Sequence, residues 1–199
     1  MTSAVATVAA PAAEPWVLPS KGRVGMLCLI VAESAVFVIF VVAYLYYLGQ
    51  NLSGPLPADV LELPIFISIC LLASSPTISA AVRALEHGNM AAFRRWWLAT
   101  IILGTIFLAG TAREWYLLIY EHGLTIRSNL FGTTYYSLVG LHASHLIFGL
   151  VALALVMAFS WLGYLRREHA ERTHLIAMYW HFVDWVWVVV FTVVYIIGR

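Results

Sequence analysis

Glu33, His142, His145, His181 and Asp184 sit inside strongly apolar runs: CLIVAESAVFVIF, GLHASHLIFG and YWHFVDWVW. Carboxylates and imidazoles exchange protons, ligate metals and bond firmly to one another. A charged side chain at the bilayer centre costs roughly 2.5–3.5 kcal/mol on insertion scales, so such groups turn toward protein or a water path. His142 and His145 are three residues apart, as are His181 and Asp184, and that spacing projects each pair from one side of a helix. Three chemistries fit the set. The groups can bond across helices and fix the packing; Glu33 can exchange protons; or several helices can converge on a metal. HExxH is absent, as are the repeated histidine boxes of membrane di-iron proteins, and lone histidines are a weak signal for haem. Arg113 and Glu114, adjacent in TAREWY, form a second polar pair.

Membrane helices must position these groups. Of 199 residues, 62% are hydrophobic and 11% charged, against about a quarter charged in soluble domains. A soluble core of this length cannot hide that much apolar surface. Lys plus Arg (11) nearly balances Asp plus Glu (10), which leaves no basic field for nucleic acid. Cys28 and Cys70 lie in apolar runs without metal or disulfide spacing and read as buried hydrophobes. Crossing the hydrocarbon takes about 20 apolar residues, and five stretches qualify: Val24–Leu48, Leu63–Val82, Trp96–Tyr120, Thr134–Gly163 and His174–Ile197. The fold class is therefore all-α, a polytopic five-helix membrane bundle over residues 21–199. Residues 1–20, rich in Ala and Pro without Lys or Arg, read as a loose tail.

Lys21, Arg23, Arg83, Arg94, Arg95, Arg166, Arg167 and Arg172 fall on one side, and only Arg113, Arg127 and Arg199 on the other. The cation excess marks the cytoplasmic side, which puts the N-terminus inside and the C-terminus outside. At ~1.5 Å per residue, Glu33, Asp184 and His145 each lie about 14–17 Å into their spans, close to mid-depth. A buried hydrogen-bonded network joining spans one, four and five is expected. Glu114 falls about 27 Å along its span, near the outer surface, where Arg113 can pair with it. Tyr44, Tyr46, Tyr47, Trp115, Tyr116, Tyr120, Tyr135, Tyr136 and Tyr195 near one face, with Trp96, Trp97, Trp161, Tyr164, Tyr179 and Trp180 near the other, read as interfacial anchors. In span two, Ser74, Ser75 and Thr77 flank Pro76, where hydroxyls can satisfy the carbonyl that proline frees. Ala73, Thr77 and Ala81 form a small-residue stripe, as do Gly140 and Ser144, suited to close helix contact.

The segments KGRVGMLCLIVAESAVFVIF, LLASSPTISAAVRALEHGN, REWYLLIYEHGLTIRSNLFGTTYYSLVGLHASHLIFG and HLIAMYWHFVDWVWVVVFTVVYI occur in this order. Together they resemble cytochrome c oxidase subunit III, of the haem-copper oxidase subunit III family. G-x-H-x-x-H-x-x-x-G from Gly140 to Gly149 and W-H-F-V-D-x-V-W from Trp180 to Trp187 carry the resemblance most specifically. It implies a subunit without a redox metal or catalytic residue of its own. Such a subunit binds the catalytic subunit I within the membrane, in a complex that includes subunit II, supports proton uptake and protects against inactivation during turnover. Haem and copper would reside in those partners, within a bacterial inner membrane, with bound phospholipid. The family's carbodiimide-reactive glutamate matches Glu33, its histidine pair His142 and His145, its terminal pair His181 and Asp184, and its mid-chain acid before an aromatic Glu114.

Longer family members carry two further helices ahead of the acid-bearing one, with a lipid-filled cleft between; this chain resembles the short bacterial form. Arg166 and Arg167 are placed for lipid headgroups. Subunit III of a quinol oxidase and the related accessory protein of nitric oxide reductase share the pattern. An independent proton or ion carrier built on Glu33, and a metalloenzyme using His142, His145, His181 and Asp184, are the readings from other classes.

Overall fold

A computed structural model describes residues 20–50 and 57–198. The tail expected over residues 1–20 therefore lies outside the described residues except for Ser20, and so does Arg199. The helices are α1 (Lys21–Tyr47), the single turn α2 (Pro57–Val60), α3 (Ile65–Glu86), α4 (Met90–Tyr120), α5 (Leu130–Trp161) and α6 (Ala170–Phe191). A 3₁₀ turn, Arg167–His169, precedes α6, and a wider π-type turn, Thr192–Ile197, continues it. Among the described residues there is no strand, and five helical stretches are long and apolar enough to cross a membrane.

The helices extend past the apolar runs because their ends are set by caps, not by hydropathy. α4 starts six residues before Trp96, where the Asn89 side chain accepts the Ala92 amide at 3.0 Å. α5 starts where Asn129 accepts the Gly132 amide at 2.8 Å. Between α3 and α4 the chain reverses at Gly88, whose φ of 74° is a left-handed conformation open mainly to glycine. The Asn89 amide there donates back to the Ala84 carbonyl at 2.8 Å. α3 and α4 consequently lie side by side as a tight hairpin.

Four helices close a ring: α3 packs on α4, α4 on α5, α5 on α6, and α6 back on α3. α1 stands outside, against α5 and α6. Gly22 lies beside Leu175 and Tyr44 beside Gly198, so α1 and α6 run in the same direction. α1 buries only Phe37 and Tyr44, while Val31 is 69% exposed. In a bilayer such a surface meets lipid or another chain.

Trp180 fills the ring's centre. Its indole leaves no room for a side chain at two facing glycines. A Cβ at Gly104 of α4 would sit 2.7 Å from its Cη2, and one at Gly149 of α5 would sit 3.0 Å from its Cε3. Its Nε1–H donates to Ser74 Oγ of α3 at 2.7 Å. One α6 side chain thus touches all three other ring helices. Lipid tails are as apolar as the helix faces, so association rests on such close packing and interhelical bonds.

Several expectations are corrected. Tyr44, Trp97, Tyr135, Trp180 and Tyr195 are buried inside the bundle instead of anchoring it at the headgroups, because each faces another helix at its level. Tyr46, Tyr47, Trp96, Tyr116, Tyr120, Trp161 and Tyr164 are exposed. Cys70 is buried, but Cys28 is exposed on α1. Of the stripe on α3, Ala81 is buried and Thr77 bonds Thr100 of α4 at 2.8 Å, while Ala73 is exposed. The hydroxyls of Ser74 and Ser75 leave the neighbourhood of Pro76 for α6, and Thr77 alone donates back, to the Ser74 carbonyl at 2.7 Å.

Gly104→Ala and Gly149→Ala should each push against a rigid indole and cost about 1–3 kcal/mol. Gly25→Ala, with nothing within 4 Å of the added carbon, should be neutral or slightly stabilising. Unfolding midpoints of the three variants in one lipid or detergent system check this.

Candidate functional site

The mid-depth acid of α1 meets the second histidine of α5. Glu33 Oε2 lies 3.1 Å from His145 Nε2. The other ring nitrogen, Nδ1, lies 2.8 Å from the Leu141 carbonyl. A carbonyl only accepts, so Nδ1 carries a hydrogen. Two protonation states then satisfy the contact: imidazolium donating to carboxylate, or carboxylic acid donating to neutral imidazole. Phe37, one turn beyond Glu33, covers the imidazole at 4.9 Å between ring centres. Tyr179 of α6 donates to the His145 carbonyl at 3.2 Å. The Glu33 side chain is still 30% exposed, against 11% for His145, on a helix that stands outside the ring. Among the described residues this is the side-chain hydrogen bond that ties α1 to another helix.

His181 and Asp184 do not join that pair, which corrects the expected single network. Both turn to the hydroxyls of α3. Ser75 Oγ donates to Asp184 Oδ2 at 2.6 Å and lies 2.8 Å from His181 Nδ1. Ser79 Oγ lies 3.2 Å from His181 Nε2. Trp180 and Trp187 donate to Ser74 and Ser68, at 2.7 and 3.0 Å. A run of four serines on α3 therefore receives four α6 side chains in antiparallel register. Depth arithmetic locates a group along the membrane normal but leaves its rotation about the helix axis open, and rotation separates the two clusters here.

His142 is likewise apart. It is fully buried, with Trp187 and Phe107 packed on its ring at 5.1 and 5.8 Å and neither nitrogen hydrogen-bonded among the described residues. Residues three apart on a helix still diverge by about 60°, so His145 reaches α1 while His142 enters the ring between α4 and α6. Among the described residues no group of three or more His, Cys, Asp or Glu side chains is gathered to hold a metal.

Glu114 pairs with two tyrosines instead of Arg113. Its Oε1 accepts from Tyr195 at 2.7 Å and from Tyr135 at 3.0 Å. Neighbouring residues on a helix face about 100° apart. Arg113 accordingly lies exposed beside a cavity of about 400 Å³ that Glu62, Glu114 and Glu121 also line. Arg166 and Arg167 are exposed at the α5–α6 connection. Sequence reasoning missed Ser68, Ser74, Ser75 and Ser79 as partners, and Tyr135 and Tyr195 as ligands of the acid. Matching depth for neutral hydroxyls as well as charges would have found the tyrosines.

The family model for cytochrome c oxidase subunit III matches residues 17–199. A cytochrome c oxidase subunit 3 from Corynebacterium diphtheriae is 38% identical over 131 residues, 66% of this chain and 63% of that protein. One from Synechocystis is 34% identical over 186 residues, 90% of this chain and 77% of that protein. One from Alkalihalophilus pseudofirmus is 32% identical over 168 residues, 83% of this chain and 82% of that protein. The matched stretch thus spans less than two thirds of the Corynebacterium relative's length.

Glu33→Gln should keep a donor toward His145 Nε2 and alter the docking of α1 by less than about 1 kcal/mol, in line with interhelical bonds in membranes. Glu33→Ala should leave that nitrogen unpaired and cost about 1–3 kcal/mol. Disulfide trapping between cysteines placed on facing turns of α1 and α5, compared across the two variants, measures the difference.

Proposed function

Since the chain belongs to the cytochrome c oxidase subunit III family, we propose that it serves as the non-redox membrane subunit of a proton-pumping terminal oxidase. In this reading it docks on the catalytic subunit I in a complex that includes subunit II, stabilises subunit I and supports proton uptake during aerobic respiration. Haem and copper belong to those partners. The membrane is the bacterial inner membrane, with the N-terminus cytoplasmic and the C-terminus outside, and Arg166 and Arg167 meet phospholipid headgroups at the cytoplasmic side.

The observation that carries this reading is the incompletely covered side chain of Glu33. A titratable group at mid-depth that remains 30% exposed is expensive against acyl chains, and a neighbouring protein surface or water path would complete its cover. It sits on the helix with the least burial in the bundle, where a partner has most surface to gain. The other mid-depth polar residues serve proton-linked or packing roles: His145 holds Glu33, while His142, His181 and Asp184 act within the ring. Glu114 ties three helices together near the outer face. An independent carrier would need a polar route through the chain itself, whereas the charged groups here are divided among separate helix contacts.

The full-length tagged chain, extracted in mild detergent, should arrive with a haem spectrum supplied by other chains, and Glu33→Ala should reduce haem per chain several-fold while Glu33→Gln keeps it. The purified chain alone in liposomes should move no protons. Recovery of the chain from its native membrane free of haem, or proton transport by the chain alone, would contradict the proposal.

A further inference from the structure

The α3–α6 contact contains a hydrogen-bond chain whose donors and acceptors can be counted. Ser79 has one hydroxyl proton and donates it to the Ser75 carbonyl at 3.0 Å. The 3.2 Å contact between Ser79 Oγ and His181 Nε2 therefore needs its hydrogen on Nε2. At the other nitrogen, Ser75 Oγ is held between His181 Nδ1 at 2.8 Å and Asp184 Oδ2 at 2.6 Å. A hydroxyl both donates and accepts, so this bridge can be filled in two directions.

In one direction His181 is an imidazolium: Nδ1–H donates to Ser75, and Ser75 donates to the Asp184 carboxylate. In the other, Asp184 is a neutral acid that donates to Ser75, and Ser75 donates to the lone pair of Nδ1. The two forms have equal numbers of hydrogen bonds and equal net charge. They interconvert when the Nδ1–H bond breaks as a new Ser75 O–H forms, while the old Ser75 O–H breaks as Asp184 Oδ2–H forms. No ion enters or leaves and the net charge is constant; the ionic form bears the cost of desolvating two charges and offsets it only through their mutual attraction and the bridging hydroxyl. Each form also carries its own penalty. Among the described residues Asp184 Oδ1 is buried without a hydrogen-bond partner in either form, which costs more when the carboxyl is charged; the neutral form gives up the charge-assisted bonds of the first.

We propose that His181, Ser75 and Asp184 form a proton-shift site, in which one proton moves between imidazole and carboxyl through the Ser75 hydroxyl. Asp184 lies three residues beyond His181 on α6, about 4.5 Å further along the backbone, so the transfer moves positive charge from one side of the Ser75 hydroxyl to the other. Such a shift responds to charge placed beyond either end. The arrangement differs from that of a hydrolase triad, where the acid orients the imidazole and the imidazole activates the serine. Here the serine lies between acid and imidazole, and both of its hydrogen-bonding directions are occupied. The inference concerns the bundle's own hydrogen bonds and stands whether or not the chain supplies protons to a partner.

The test is magnetic resonance on the full chain in its native complex in lipid, with ¹⁵N-histidine and ¹³C-carboxyl aspartate labels. Variants at His181 and Asp184 assign the signals. In the parent, the Nδ1 and carboxyl signals should lie between their protonated and deprotonated limits and move together, in opposite protonation senses, as temperature changes. Ser75→Ala should abolish this covariation, and Ser75→Thr, which keeps the hydroxyl, should restore it. Parent signals fixed at their limits, or covariation that persists in Ser75→Ala, would overturn the proposal. The parent measurement decides the matter even if Ser75→Ala does not assemble.

Discussion

Trp180 joins the four ring helices at a single indole, and the other interhelical contacts are arranged about it. Its ring fits only because Gly104 and Gly149 present bare backbone on facing helices, and its N–H is accommodated only because Ser74 offers an oxygen. Acyl chains provide no hydrogen-bond partner, so each polar atom left outside such a contact is penalised. The serine run of α3 repeats the solution along the helix. Its four hydroxyls meet four α6 side chains, with Ser75 shared by His181 and Asp184, which sets both the rotation and the register of α6. Packing and polar satisfaction are the same constraint here, because shifting α6 by one residue would separate all five contacts together.

α1 obeys a different logic. It lies outside the ring, exposes most of its apolar surface, and among the described residues is hydrogen-bonded to α5 through the imidazole–carboxyl contact beneath Phe37. A helix held this way is well placed to share its surface with another chain. The carboxyl at its centre is the feature that an isolated bundle in lipid accommodates least well. The proposed role as a subunit follows from that asymmetry, in which a ring complete in itself carries a flank that is not.

The five crossings and the all-helical class were legible in the sequence because each depends on a run of apolar residues and little else. The contact of Glu33 with His145 was legible too, since two scarce ionisable groups at one depth have few alternatives. The partition of His181 and Asp184 onto α3 was not. Ser75 precedes a proline, where hydroxyls are ordinarily consumed by their own helix, and nothing in the spacing reveals that it turns outward or that Ser79, bonded to its own helix, also accepts from α6. Tyr135 and Tyr195 were hidden by their type, because tyrosine near a span's end belongs equally to a headgroup belt or to a buried carboxyl. The helix ends at Met90 and Leu130 were missed by hydropathy windows and are explained by the asparagine caps before them.

The central claim is that mid-depth ionisable groups in this chain are covered by protein or protein-bound water, with Glu33 completed from outside. A structure of the assembled complex in a lipid nanodisc, at a resolution that shows ordered water and acyl chains, measures this most directly. The account predicts that the open side of the Glu33 carboxyl abuts a neighbouring subunit or a water chain. Acyl chains packed directly against that carboxyl, with His145 turned away, would contradict it.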